Sequence, residues 1–344
     1  MVNNTNTVFM KTGGALLWTA QGNFLSVNSD NDTVDRNSGI FWAIFVSSNF
    51  IGNLFVYFQF QGKEDIDGET RNLVGIVLLC VASAGTLLMF ILRPTPWVDG
   101  EGQVRKSPLE ALKASARLFI TQDMLLLSVT FFYAGIHLSI YSAVYGTSVG
   151  FTNAFGKDRK ALTTISSIFI GLGEVLGGAV FGIFGSKTVK HGRKPIVILG
   201  CIISLMAYFF AFLNLPHESP LRETEPFETA ILVSDKYLTV FIGFLLGLSD
   251  ACLKTQLYAF LGSTYKDDSS SAFAIYKFTE CLAASLVFWY SRLVGLYWQL
   301  LVAAVCSVAG TFCFAAVEWR QSKRLEISPT EMEETGKFLK DAPE

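Results

Sequence analysis

The sequence predicts an all-α, polytopic membrane helix bundle, and three observations carry that prediction. Of the 344 residues, 51% are apolar and only 16% are charged, where a soluble domain carries about 25%. The apolar residues fall into runs long enough to cross a bilayer, which takes roughly 17–25 residues. Finally, Ile165–Gly200 reads as a helical hairpin, with a glycine-rich apolar run, a short basic turn and a second apolar run. In the first of these runs Gly173 and Gly177, and Gly178 and Gly182, are four residues apart. Small residues at that spacing let helix backbones approach closely in lipid.

Nine candidate spans follow in order: Gly13–Ser29, Gly39–Phe60, Leu73–Leu92, Met124–Ser148, Leu162–Gly185, Pro195–Leu215, Tyr237–Thr264, Ala272–Arg292 and Gly295–Val317. The first contains Gln21, Asn23 and Asn28, which suit a cavity-facing helix better than a lipid-facing one. Residues 93–123 form the long polar connection after the third span. They contain Pro94, Pro96 and Pro108, then the amphipathic stretch ALKASARLFI, expected to lie at the membrane interface. The expected organisation is a three-span bundle over 1–92, a cytoplasmic linker over 93–123, a six-helix bundle over 124–317 and a disordered, charged cytoplasmic tail over 318–344. Lys and Arg are more numerous on the side that holds the linker and the tail, which places the C-terminus in the cytoplasm. The first eleven residues lack an apolar h-region, so no signal peptide is expected. Asn3 fits the glycosylation pattern and faces away from the cytoplasm in this topology. Plasma and endolysosomal membranes both remain open as locations.

Ala20–Phe45 resembles Lys254–Phe278, each running from a helix through a short aspartate-bearing loop into an aromatic-rich helix. That repeat sets spans 1–3 parallel to spans 7–9, as in transporters built from parallel repeats.

The basic turn, from Gly185 through Lys190, Gly192, Arg193 and Lys194, resembles the short-loop signature of the major facilitator superfamily. Val189 stands where that family carries an aspartate that helps lock its two halves together. LWTAQGNFLSVNS (Leu17–Ser29), RNSGIFWA (Arg36–Ala43), GNLFVYFQFQGK (Gly52–Lys63) and FAIYKF (Phe273–Phe278) are similar to the Unc-93-like branch of that superfamily. The resemblance implies a twelve-span fold of four three-helix units, with the nine spans here matching the last three and the first three helices lacking a counterpart. It implies either a solute transporter, with proton coupling an option, or a non-transporting regulator or escort of a channel or receptor, or an inactive truncated form. The expected surroundings are the lipid bilayer and an unknown small solute or membrane-protein partner.

Charged residues inside spans are rare and usually functional. Asp250 and Lys254 share a helix face at i, i+4, and Lys277 and Glu280 at i, i+3. They read either as a charged-solute or proton site or as self-neutralising structural pairs, with Lys277 and Glu280 close enough to a membrane surface to snorkel. Glu174 sits near mid-span without a cation nearby in sequence, which suits proton coupling or an interhelical hydrogen bond. His137 reads as a core histidine or a proton relay. Gln21 and Gln256 are candidate cavity residues. Gly146-Thr147-Ser148-Val149-Gly150 matches a nucleophile-elbow pattern but ends a membrane span rather than a strand, so no enzyme is expected. The six cysteines lie in apolar runs without C-x-x-C spacing and read as packing residues; no metal site or cofactor is expected. The net charge of −2 gives nucleic acid no basic surface to bind.

Overall fold

The computed structural model describes residues 14, 17–25, 28–30, 33–60, 67–91, 108–225 and 230–340. Its elements are α1 (17–25), α2 (Val34–Phe60), α3 (Gly68–Met89), α4 (Pro108–Phe119), α5 (Gln122–Ser139), a π turn (Ile140–Val144), α6 (Tyr145–Phe151), α7 (Arg159–His191), α8 (Lys194–Asn214), α9 (Lys236–Thr264), α10 (Ser269–Tyr290) and α11 (Leu296–Lys340). Among the described residues there is no strand, and eight helical segments are long and apolar enough to cross a membrane. They correspond to the second through ninth candidate spans. Of the first candidate, residues 17–25 are helical, and much of the remainder, like Asn3, lies outside the described residues.

The chain is held at the ends of its helices by local chemistry. Asp67 caps α3 by accepting from Thr70 N at 2.6 Å. Asp235 caps α9 by accepting from Leu238 N at 2.7 Å, while its own N–H donates to Asn214 Oδ1 at 2.7 Å. Each such cap satisfies a helix-terminal group that has no partner within the helix. The long connection after α8 folds back over one end of the bundle. Thr224 N donates to Phe151 O at 2.9 Å, and Leu296 N donates to His217 O at 2.8 Å.

Helix α9 forms the centre, with most of its length between Thr239 and Gly262 buried. One apolar core gathers Trp42, Phe131, Tyr258, Phe273 and Phe314 around it. A second gathers Ile140, Ile170, Tyr208, Leu246 and Leu300. Helix α7 lies between α2 and α9, and its glycines make this possible. A Cβ on Gly173 would fall 2.7 Å from Leu248 N, one on Gly177 2.5 Å from Ala251 Cβ, and one on Gly178 2.9 Å from Ala43 N. From the opposite side, a Cβ on Gly247 would run into the Ile170 carbonyl. The spacing that pointed to close helix contact therefore serves two neighbours, α9 on one face and α2 on another.

Three expectations need correcting. The basic segment from Ser186 is not a loop: α7 continues to His191 and stops at Gly192, whose φ of 78° lies in the left-handed region that glycine adopts without a Cβ penalty. The segment beyond Leu325, expected to be disordered, continues as helix to Lys340; once packed turns have nucleated a helix, each further residue adds one bond at low cost. The cysteines are not uniformly packing residues, since Cys252 is buried while Cys80 and Cys281 face outward. Helix α3 stands apart. Thr70 is its one buried residue, and Ile76, Leu79, Val81, Leu87 and Leu88 are all exposed.

The glycine contacts give a direct test. Gly247→Leu should force α7 and α9 apart, costing about 1–3 kcal/mol or more as core overpacking does. A Cβ at Gly75, on α3, would meet nothing within 4 Å, so Gly75→Leu should leave the melting temperature unchanged. Equal losses in the two variants, measured by thermal melting in detergent, would exclude the close approach as a stabilising contact.

Candidate functional site

The π turn that interrupts the α5–α6 span covers Ile140–Val144. Such extra-residue turns redirect side chains and are common at functional sites. Here the turn carries Tyr141 toward α9. The Tyr141 hydroxyl accepts from Lys254 Nζ at 3.0 Å and lies 3.4 Å from Asp250 Oδ2. Lys254 and Asp250 pair directly at 3.0 Å, with side chains 4% and 0% exposed. The i, i+4 spacing rises about 6 Å along the axis, which the lysine stem spans. Lys254 Nζ also lies 5.1 Å from the Trp42 ring and 5.4 Å from the Tyr141 ring.

A second pair lies beside the first. Lys277 Nζ meets Glu280 Oε2 at 2.5 Å, and Tyr276 donates to Glu280 Oε1 at 3.2 Å. The ammonium sits 4.6 Å from the Trp18 ring, 4.6 Å from that of Tyr276 and 5.6 Å from that of Tyr258. Both residues are buried, so the expectation of snorkelling is corrected: an aromatic box on α1, α9 and α10 replaces the water that a lysine would otherwise seek. The two pairs are near enough for Lys254 to feel Glu280 and Lys277 as well as Asp250 and Glu174.

Glu174 is not isolated. It projects from α7 against Asp250, Lys254 and Tyr141, a grouping invisible in sequence because its cation arrives from another helix. Three carboxyls and two ammoniums thus share one buried region contributed by α7, α9 and α10. Asp250 Oδ1 is buried and receives no hydrogen bond among the described residues, as is true of the Tyr258 hydroxyl and Gln256 Oε1. The remaining candidates sit around this cluster or apart from it. Gln256 Nε2 donates to its neighbour Thr255 at 3.2 Å. Gln21 is half-buried on α1. Asn23 accepts from Ser269 Oγ at 2.6 Å, which ties α1 to the start of α10. His137 is engaged at both nitrogens, Nδ1 with the Tyr208 hydroxyl at 2.5 Å and Nε2 with the Leu246 carbonyl at 3.2 Å and Ser249 Oγ at 3.1 Å. A neutral imidazole satisfies all of these, as a core histidine would.

At one end of the bundle the basic turn finds acids from distant segments. Arg193 makes a bidentate pair with Asp35 on α2, at 3.0 Å and 2.8 Å. Glu318 on α11 accepts from the backbone N–H groups of Arg193 at 2.5 Å and Lys194 at 2.8 Å, placing a negative charge at the positive end of α8. The acid missing at Val189 therefore has counterparts in Asp35 and Glu318. Gly185 and Lys190 lie in the last turns of α7, where side chains are outside the described residues. Nearby, Asp123 pairs with Arg324 at 3.0 Å and with Arg320 at 3.6 Å. Burial, reinforced by the Asp123 carboxylate, pushes the adjacent Tyr265 phenol up to about 12, so it stays neutral.

Sequence reasoning found the charged residues because charges inside spans are conspicuous. It missed Trp18, Trp42, Tyr141, Tyr258 and Tyr276, which look like ordinary core aromatics until they are seen to surround two ammoniums. Among the described residues no cluster of side chains has the composition of a metal centre.

The eight apolar helical segments and the buried ionic cluster define a multi-pass helical membrane protein. Residues 4–315 match the family profile of the ion channel regulatory protein UNC-93, and the chain belongs to the UNC-93 family. It is 39% identical to the UNC93-like protein MFSD11 of Xenopus laevis over 339 residues, covering 93% of this chain and 76% of the relative. Similarity extends to the UNC93-like protein 3 of Arabidopsis thaliana at 25% over 323 residues (87% and 64% of the two chains). Protein unc-93 homolog A of Bos taurus is 24% identical over 368 residues (93% and 75%).

The Asp250–Lys254 pair can be dissected. Asp250→Asn alone leaves an ammonium without its direct counterion in a dry site, which typically costs about 3–5 kcal/mol. Asp250→Asn combined with Lys254→Gln should recover much of that loss. Strictly additive losses across wild type, both singles and the double in a detergent-melting series would exclude direct coupling.

Proposed function

We propose that this protein is a solute transporter of major-facilitator type that works by alternating access, with Glu174 as its proton carrier beside the Asp250–Lys254 pair. One observation carries the reading: five ionisable side chains from three helices converge deep in an apolar bundle, closed from water. Ion pairs buried in this way seldom stabilise a fold better than apolar residues of similar volume would. With neutral His137, the fully ionised cluster has three negative charges against two positive. One proton on Glu174 would balance the cluster and offer a donor to Asp250 Oδ1, which lacks one. The MFSD11 name of the similar frog protein suits this reading.

In this proposal the chain divides at 93–123, and the Arg193–Asp35 pair and the Glu318 cap close the cytoplasmic end while the charged cluster is occluded. The surplus of basic residues around linker and tail supports a cytoplasmic position for that end and for the C-terminus. A second reading, a membrane regulator of a channel or receptor, is favoured by helix α3. Its apolar surface is exposed over the whole length, and the UNC-93 family description names ion channel regulation. Such a helix fits a protein partner as well as lipid.

Proteoliposomes enclosing a pH-sensitive dye test the transport reading. Some member of a panel of small cationic, anionic and neutral solutes should drive proton movement in wild type. Glu174→Gln should lower that rate at least tenfold without unfolding the protein. If no member moves protons, the regulator reading takes precedence. Orientation has its own check, through single cysteines at Val233 and Asp267, both exposed in the structure. In intact cells, with the protein at the surface, an impermeant thiol reagent should label Val233→Cys and spare Asp267→Cys. The opposite pattern would invert the topology.

A further inference from the structure

We infer that the box formed by Trp18, Tyr258, Tyr276 and Glu280 is a binding site for an organic ammonium ion, and that Lys277 is its built-in occupant, displaced when the solute binds. The inference rests on the transporter reading for its biological sense, but its chemistry is independent of transport. Three aromatic faces and one carboxylate surround the Lys277 ammonium. Ring faces carry the negative end of the quadrupole and attract cations most strongly where water is excluded. The carboxylate adds an acceptor for an N–H donor, which favours a primary ammonium over a quaternary one.

The surroundings extend the same preference. The box continues into a second one, with Trp42 and Tyr258 ring centres 5.6 Å apart, where Lys254 lies over Trp42 and Tyr141. The cluster as a whole has one carboxyl more than it has ammoniums. The buried, undonated Asp250 Oδ1 and the Tyr258 hydroxyl are acceptors that a further cation could use. An anionic solute would find its two possible lysine partners already neutralised and backed by aromatic faces that repel it.

Lys277 is the lysine placed to yield. It is 8% exposed against 3% for Lys254, and the wall over it, Trp18, comes from α1. That helix is tied to α10 through the Asn23–Ser269 hydrogen bond and the seating of Gly22 on the Phe273 ring. An incoming ammonium would take over the Glu280 carboxylate and the ring faces, freeing Lys277 to swing away with its own charge intact.

The test uses the purified full chain in detergent, with tryptophan fluorescence and melting temperature as readouts. The probes are n-butylammonium, the cation of a lysine side chain; tetramethylammonium, which has no N–H; and butyrate, with sodium chloride matching ionic strength. Wild type should give a saturable response to n-butylammonium, a weaker one to tetramethylammonium and none to butyrate. Lys277→Met removes the competing ammonium from the box and should tighten n-butylammonium binding at least tenfold; Glu280→Gln should weaken it by a similar factor. If Lys277→Met does not fold, Lys277→Gln is measured instead, and the wild-type titration decides by itself. A wild-type response to n-butylammonium no greater than to sodium chloride overturns the inference, as does a saturable response to butyrate or weaker cation binding once Lys277 is neutralised. Because no gradient is present, ammonium binding without proton movement in proteoliposomes would keep this site and remove transport. Proton movement without ammonium binding would do the reverse.

Discussion

An ion inside an apolar bundle must be neutralised by neighbours, because neither lipid nor core offers it water. That constraint explains more of this structure than any single packing contact. Asp250 and Lys254 are almost completely buried, and the features around them read as responses to the cost. The i, i+4 spacing brings the charges together, the π turn delivers the Tyr141 hydroxyl between them, and Trp42 covers the ammonium with a ring face. The same solution recurs at Lys277 and Glu280 with Tyr276 and Trp18. The two pairs are close enough to influence each other electrostatically, so separating the helices that carry them would expose charge to lipid.

Close packing is what keeps the cluster dry. Glycines on α7 and α9 bring these backbones to a distance at which side chains no longer intervene, and the same face of α7 delivers Glu174 to Asp250. A wider α7–α9 spacing would admit water, relax the electrostatics and remove the reason for pairing. The close approach and the charged cluster are therefore coupled, although they draw on different residues. Gly177 packs against Ala251, one residue from Asp250, so the glycine contact and the ion pair occupy the same turn of α9.

The spans were legible in the sequence because hydropathy and length decide them, and the charged residues were legible because they violate that hydropathy. What stayed hidden depends on which helices meet. Glu174 looked solitary since Lys254 lies far along the chain. Lys277 and Glu280 looked peripheral because depth was judged from position along one helix, before Trp18 was known to close over them. Val189 suggested a lost charge contact at the basic turn, yet Asp35 and Glu318 approach that turn from α2 and α11. Its basic residues read as a loop, while backbone propagation carries α7 through them to Gly192.

The two ends of the site are unequal, and the inequality bears on how it could open. At the Arg193 end, one guanidinium bridges to Asp35 with two hydrogen bonds while Glu318 holds the start of α8; Arg193 itself is only partly exposed. At the far end the ionic contacts are more open to water: Lys236 with Asp158 and Arg159 with Glu223 have side chains 22–69% exposed. Exposed pairs contribute little, a median of about 0–1 kcal/mol, whereas partly desolvated bidentate pairs contribute more. The contacts on the Lys236 side are thus cheaper to break than those on the Arg193 side. In the alternating-access proposal, the end with the weaker pairs is the one expected to open first. The stronger lock would then yield only when a change of charge in the central cluster, by a proton or a bound cation, alters the balance that holds α2, α7 and α9 together.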